Sequence, residues 1–220
     1  MQKTEAIILR RQEIRETSVL LTAFSRELGK FQGLVKGVRG GQAAVPWYLE
    51  PLTLQAVVLY ERKRSPWALV SACDLLDAFE PVRRDLSRAA CAAFCLELVD
   101  GMTGVGDPHP EIFELLLRTL RAMGEKGTDL RSIVRFLEAH LLRINGHLPQ
   151  VDSFSISPEA RMALRQILQR PIPQLGGLRL RPEVEQELRR LHQGLFYRVL
   201  EREVRSRGFL SALGLEGELN

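Results

Sequence analysis

Apolar and polar positions change rhythm once along this chain. Up to about residue 80 the apolar residues come in short runs rich in β-branched and aromatic members, and beyond it they recur at helical spacing. Residues 4–14 are apolar at their centre (Ala6, Ile7, Ile8, Leu9), and residues 18–25 carry Val19, Leu20, Leu21, Thr22 and Phe24. After a turn at Leu28-Gly29, residues 30–36 alternate Phe31, Gly33 and Val35, as expected of a hairpin whose turn contains glycine. Residues 52–60 and 67–73 predict two more strands, separated by the basic segment Glu61-Arg62-Lys63-Arg64. Gly37-Val38-Arg39-Gly40-Gly41 has no apolar period and reads as a loop. Five short strands in so short a stretch predict a small closed barrel, of which the OB-fold is the commonest five-stranded form.

From Pro81 the pattern predicts helices. The first runs from Pro81 to about Met102, and the second from about Pro110 to Met123, with Ile112, Phe113, Leu116, Leu117 and Leu120 on one face and Glu114 paired with Arg118 at i,i+4. Thr128 is the expected N-cap of a third, whose stripe is Leu130, Ile133, Val134, Leu137, Leu141 and Ile144 and whose stop is Asn145-Gly146. Ser157-Pro158 opens a fourth, and a long fifth follows Pro182 with Val184, Leu188, Leu191, Leu195 and Val199 as its seam. The fold class is α+β: an OB-fold barrel over residues 1–80 and an all-α bundle over 81–220.

Composition narrows the function classes. The formal net charge is +4, compatible with nucleic acid but spread along the chain, so a DNA surface must come from local placement. No apolar run approaches the roughly 20 residues of a membrane span, and Lys3, Glu5, Arg10 and Arg11 interrupt any leader, so a cytoplasmic protein is expected. Cys73, Cys91 and Cys95 suggest no disulfide framework. Cys91 and Cys95, at i,i+4 in an uncharged stretch, read as small core hydrophobes before they read as metal ligands. His109, His140, His147 and His192 are scattered, and each reads as a surface or interhelical histidine. There is no phosphate loop, zinc-protease motif or acidic cluster, so catalytic residues, metal and cofactor are all expected to be none.

Binding is what remains. Arg26, Lys30, Lys36 and Arg39 gather around one predicted hairpin and its following loop, with Arg10 as a helper, and they are the DNA-backbone candidates. Single-strand OB-folds add stacking aromatics, for which Phe31, Trp47 and Tyr48 are candidates; the alternative is that Phe31 is barrel core and the loop aromatics pack on the helical domain.

Residues 16–40, ETSVLLTAFSRELGKFQGLVKGVRG, resemble the N-terminal signature of the RecO family. Leu49-Glu50-Pro51-Leu52, Leu96-Glu97-Leu98-Val99-Asp100, Phe113-Glu114-Leu115-Leu116-Leu117, Phe136-Leu137-Glu138 and Gly146-His147-Leu148-Pro149-Gln150 are similar to later landmarks, so the likeness covers roughly residues 1–210. The resemblance implies DNA repair and recombination: binding to single- and double-stranded DNA, strand annealing, and no catalysis. It also implies work with RecR and docking on the tail of the single-stranded-DNA-binding protein, so that RecA loads, with nucleoid association during repair. Docking of an acidic, apolar tail needs cations beside an apolar notch. Arg131 and Arg135 at i,i+4 are the candidates, ranked with Arg135 first, and Arg118 and Arg121 would complete the rim if the second and third helices pack as an antiparallel pair; the alternative is that these arginines are solvated or paired with Glu114 and Glu138. Many family members carry a four-cysteine zinc module where this chain has Asp152-Ser153-Phe154-Ser155-Ile156-Ser157-Pro158, so a zinc-free variant is expected, with Phe154 and Ile156 packing instead. The competing readings are a non-catalytic protein-interaction module without direct DNA binding, and an enzyme whose site shows no signature.

Overall fold

The computed structural model describes residues 1–14, 18–37, 49–61, 65–175 and 177–215. Its first five elements are β1 (Gln2–Glu13), β2 (Ser18–Ser25), β3 (Gly29–Lys36), β4 (Leu54–Tyr60) and β5 (Ala68–Asp77). They close into a barrel in the order β1-β2-β3-β5-β4. β1 meets β4 antiparallel, and Gly33, Leu34 and Val35 of β3 meet Ala68, Leu69 and Val70 of β5 in parallel, which is the OB-fold arrangement. Alternation along the strands turns Ala6, Ile8, Val19, Leu21, Ala23, Val57, Leu59 and Val70 inward as the barrel core, with Leu49 added from outside the strands.

The fourth strand begins two residues later than expected. Leu52 has φ 63 and donates its amide to the Ile8 carbonyl, so the chain is still turning there. The fifth runs to Asp77 rather than Cys73: its ladder with β4 continues through a bulge, while Leu75 and Leu76 stay exposed and break the apolar alternation a sequence reading relies on.

By compactness the chain forms two units, Met1–Glu80 with Thr103–Phe113, and Pro81–Met102 with Glu114–Asn220. In the first, the Thr103–Phe113 segment is stitched to the barrel: Val105 bridges Lys30, and the Gly106 amide donates to the Lys30 carbonyl at 2.8 Å. Gly29 makes this approach possible. Its φ is +65, and a Cβ there would sit 2.1 Å from the Asp107 carbonyl oxygen.

The helices are α1 (Glu80–Arg83), α2 (Leu86–Met102), α3 (Pro110–Gly124), α4 (Leu130–Ile144), α5 (Pro158–Gln169), α6 (Pro182–Leu200) and α7 (Arg207–Ala212). The single helix expected from Pro81 to Met102 is two, because Asp85 breaks it and caps the second part by accepting the Arg88 amide at 2.9 Å. Thr128 is not the cap of α4. Asp129 is, accepting from the Arg131 and Ser132 amides, while the Thr128 hydroxyl donates to the Ala122 carbonyl. Asn145 ends that helix and Gly146 follows with φ 72, and Ser157 caps α5 ahead of Pro158, both as expected. In the helical unit α4 packs against α2, α5 and α6 and is buried from Ser132 to Leu142, polar residues included. The stretch before α5 is held by more than packing: Phe154 and Ile156 are half-buried, and Arg161 donates to both their carbonyls while Ser157 donates to Glu187. Among the described residues no helix is long and apolar enough to cross a membrane.

Candidate nucleic-acid interface

The four barrel cations among the described residues, Arg10, Arg26, Lys30 and Lys36, do not form one cluster. Arg10 follows a bulge in β1 and pairs with Thr22, whose neighbours Leu21 and Ala23 point inward, so Arg10 stands on the outer face, exposed. Arg26 is exposed in the β2–β3 turn, its guanidinium 5.1 Å above the Phe113 ring. Lys30, half-buried at the start of β3, and Lys36, exposed at its end, share the outer face but lie six residues, about 20 Å, apart. Between them on that face Leu34 is buried, as are Leu20 and Phe24 on β2, so the cations are not joined by an open surface. Arg39, Trp47, Tyr48 and the Arg62-Lys63-Arg64 segment lie outside the described residues.

An open groove of about 490 Å³ lies at the Lys30 end of the barrel. Lys30, Phe31 and Gln32 line it from β3, Gln2 from β1 and Ser65 from the approach to β5, and Val105 closes the side formed by the stitched segment. Two carboxylates on its walls are engaged, Glu27 by the Thr4 hydroxyl at 2.6 Å and Glu61 by the Gln2 amide at 3.4 Å. Phe31 packs on the barrel core, the alternative weighed for it, and it also lines the groove. A cation, an aromatic and side-chain amides around an open channel are the groups a single strand uses: phosphate, base face and base edge. Val105 and its neighbours were missed in the sequence. Glycines at 29, 104 and 106 mark turns there, but nothing local tells that the two stretches meet.

The rim expected on α4 needs correction. Arg135 was expected to head a basic stripe open to a partner, yet it is 2% exposed, with its guanidinium 3.1 Å from Glu138 and 3.6 Å from Glu185. The cause is that α4 is central, so the face opposite its apolar stripe is covered as well. Arg131 is exposed, donates to the Gly214 carbonyl, and lines a groove with Leu130, Leu180 and Leu215. Arg118 is exposed and paired with Glu114 at 2.6 Å, and Arg121 is exposed.

Arg135 belongs to a buried polar cluster. Glu138 accepts from His192 Nδ1 at 3.0 Å and has Arg207 at 3.9 Å. Burial pushes the Glu138 carboxyl up, but Arg135 and then His192 outweigh it and hold the acid below its usual range. Burial drives His192 down, more than its bond to Glu138 lifts it. Glu185 is pushed up by burial. Cys95 is fully buried and its thiol lies well above the usual range, chiefly from burial, so it and buried Cys91 behave as core hydrophobes. His140 donates from Nε2 to the Ile167 carbonyl, an interhelical role like that of His192.

Comparison with known proteins bears on most of the chain. The family model described as recombination protein O N terminal matches residues 1–79, and that described as recombination protein O C terminal matches residues 83–155. A protein of Syntrophobacter fumaroxidans named DNA repair protein RecO is 34% identical over 154 residues, covering 70% of this chain and 60% of that protein. Its namesake from Alkaliphilus metalliredigens is 32% identical over 151 residues, 69% of this chain and 61% of that protein. The namesake from Bacillus pumilus is 27% identical over 221 positions, covering 86% and 85%. The chain thus spans about three fifths of the length of the first of these relatives and most of the last. Both family models fall in register on the barrel and on the helices that follow it, and so the chain belongs to the RecO family.

Proposed function

We propose that this chain is a DNA repair and recombination mediator that binds single- and double-stranded DNA through its barrel and anneals complementary strands without catalysing a reaction. The observation that carries the reading is the groove at the barrel end, which Lys30 and Gln32 line from the outer face of β3 and Phe31 from the inner one, offering a phosphate contact, an amide and a ring. Arg26 shares that end, while Arg10 and Lys36, exposed elsewhere on the barrel, are separate contacts for a longer or a second backbone.

The test is fluorescence anisotropy with labelled single strands and duplexes across a salt series. Each single-strand phosphate contact contributes about 0.7 to the slope of log K against log salt, so Lys30→Ala should flatten the slope by about that amount. Lys36→Ala with Arg39→Ala should flatten it further. Salt-independent or undetectable binding would leave the protein-interaction reading in its place. Nicked, single-stranded and duplex DNA incubated with Mg²⁺ should remain intact.

RecR, the tail of the single-stranded-DNA-binding protein and, indirectly, RecA are the proposed partners, at the bacterial nucleoid in the cytoplasm. For the tail, Arg131 replaces Arg135 as first candidate, since it faces solvent beside Leu130, Leu180 and Leu215. Arg118 and Arg121 remain as secondary cations. Arg131→Glu should abolish tail-peptide binding in a titration while leaving affinity for bare DNA unchanged.

A further inference from the structure

One helix face in the second unit has chemistry that the barrel reading does not use. Arg190, Gly194, Tyr197 and Arg198 of α6 are all exposed and recur at the spacing that puts them on one side of the helix. The other side, Val184, Leu188, Leu195 and Phe196, is buried. Tyr197 is 58% exposed where its neighbour Phe196 is 1% exposed, so the ring is offered to solvent and the core does not need it. Arg198 donates from Nε to the Gly194 carbonyl at 3.3 Å, which holds its guanidinium over the same face.

Beside Tyr197 lies a notch of about 310 Å³, whose walls include Gln193, Gly194, Phe196, Val204 and Arg202. That volume falls at the lower end of the range of small-ligand pockets, about 300–1,000 Å³. Arg202 is fixed on the far wall by Glu97, to which it donates at 3.0 Å. Gly194 is the informative position. A glycine inside a helix weakens it, and packing does not call for one here, because a Cβ would meet nothing within 4 Å. What the missing side chain does is leave the mouth of the notch open.

We propose that this face is a second single-stranded-DNA site, with Arg190 and Arg198 on the backbone and one base held against Tyr197 in the notch. The two arginines are eight residues apart, about 12 Å along the helix, so they reach non-adjacent phosphates, with the ring beside Arg198. Gln193 offers both a donor and an acceptor to a base edge. The Glu203 carboxylate on the same wall can accept from the exocyclic amine of a base. The site rests on the reading that the chain binds DNA, and it supplies what annealing requires, a place for a second strand.

The experiment uses the full chain and a single strand carrying 5-iododeoxyuridine, photocross-linked and mapped after trypsin digestion. A cross-link in the peptide 191–198, lost in Tyr197→Ala, is expected alongside barrel cross-links. Tyr197→Ala should slow annealing about tenfold, as loss of one base stack implies, with the thermal midpoint unchanged. Arg190→Ala with Arg198→Ala should flatten the salt slope by about 1.4, two phosphate contacts. Binding with cross-links confined to barrel peptides would overturn this site and leave the barrel reading standing. An acidic, apolar peptide that occupies the notch without displacing DNA would overturn it too. No DNA binding at all would overturn both readings.

Discussion

Replacing Arg135 by methionine keeps the length of the side chain and removes its charge from between Glu138 and Glu185. Both acids are buried, Glu138 completely, so the variant leaves a carboxylate in the middle of α4 without its strongest cation. Breaking a buried ion pair from one side costs about 3–5 kcal/mol. Glu138 keeps His192 at 3.0 Å and Arg207 at 3.9 Å, which puts the expected loss near the lower end, about 3 kcal/mol. With a urea slope of about 2 kcal/mol/M this is a midpoint lowered by about 1.5 M, read by far-ultraviolet circular dichroism. Removing both charges, Arg135→Met with Glu138→Gln, should restore at least half of the loss, because the completely buried carboxylate is then gone and Glu185 keeps Arg189 and Arg131 near it. The penalty has a defined pH dependence. Without Arg135 the Glu138 carboxyl rises, so it takes up a proton earlier on acidification, and the gap between variant and parent narrows as pH falls through the carboxylate range. A midpoint within about 0.3 M of the parent, or a double variant no better than the single one, would refute the account of Arg135 as an interior ion. Charge reversal at position 135 therefore reads on folding before it reads on any partner.

Gly29→Ala should cost about 2–5 kcal/mol, from a left-handed residue gaining a Cβ and from collision with the Asp107 carbonyl; a thermal midpoint within two degrees of the parent would contradict the stitched segment. Glu97 accepts from the Ser206 hydroxyl, the Ser206 and Arg205 amides and Arg202, and although burial pushes its carboxyl up, these bonds hold it below the usual range. Its folded pKa is depressed, so its contribution is present above the unfolded value of about 4.3 and lost as pH falls through the folded one. Hydrogen exchange of the α7 amides should show protection lost on acidification, and Glu97→Gln should lower it already at neutral pH. Elemental analysis should find no stoichiometric zinc and chelators should leave the thermal midpoint unchanged, since a structural site needs about four ligands and no cysteine follows Cys95; one zinc per chain would overturn this.

Local pattern alone carried the chain a long way. The strand runs, the Gly29 turn, the α4 stripe with its Asn145-Gly146 stop and the Ser157-Pro158 start are all encoded within a few residues of where they act, through side-chain alternation, capping and turn chemistry. The barrel followed from strand count and spacing, and the family from the order of short landmarks. The candidate interface was only half legible. Its cations could be named, and the distance between Lys30 and Lys36 follows from the six residues of strand between them, but the groove wall from Thr103–Phe113 depends on a pairing between residues 75 positions apart. Arg135 is the clearest case. In sequence it is one more charge on the polar side of an amphipathic helix, at the same i,i+4 spacing as exposed Arg131. Only the packing of α2, α5 and α6 around α4 decides that one guanidinium meets water and the other two carboxylates, because burial is a property of what surrounds a helix and helical periodicity carries no record of it.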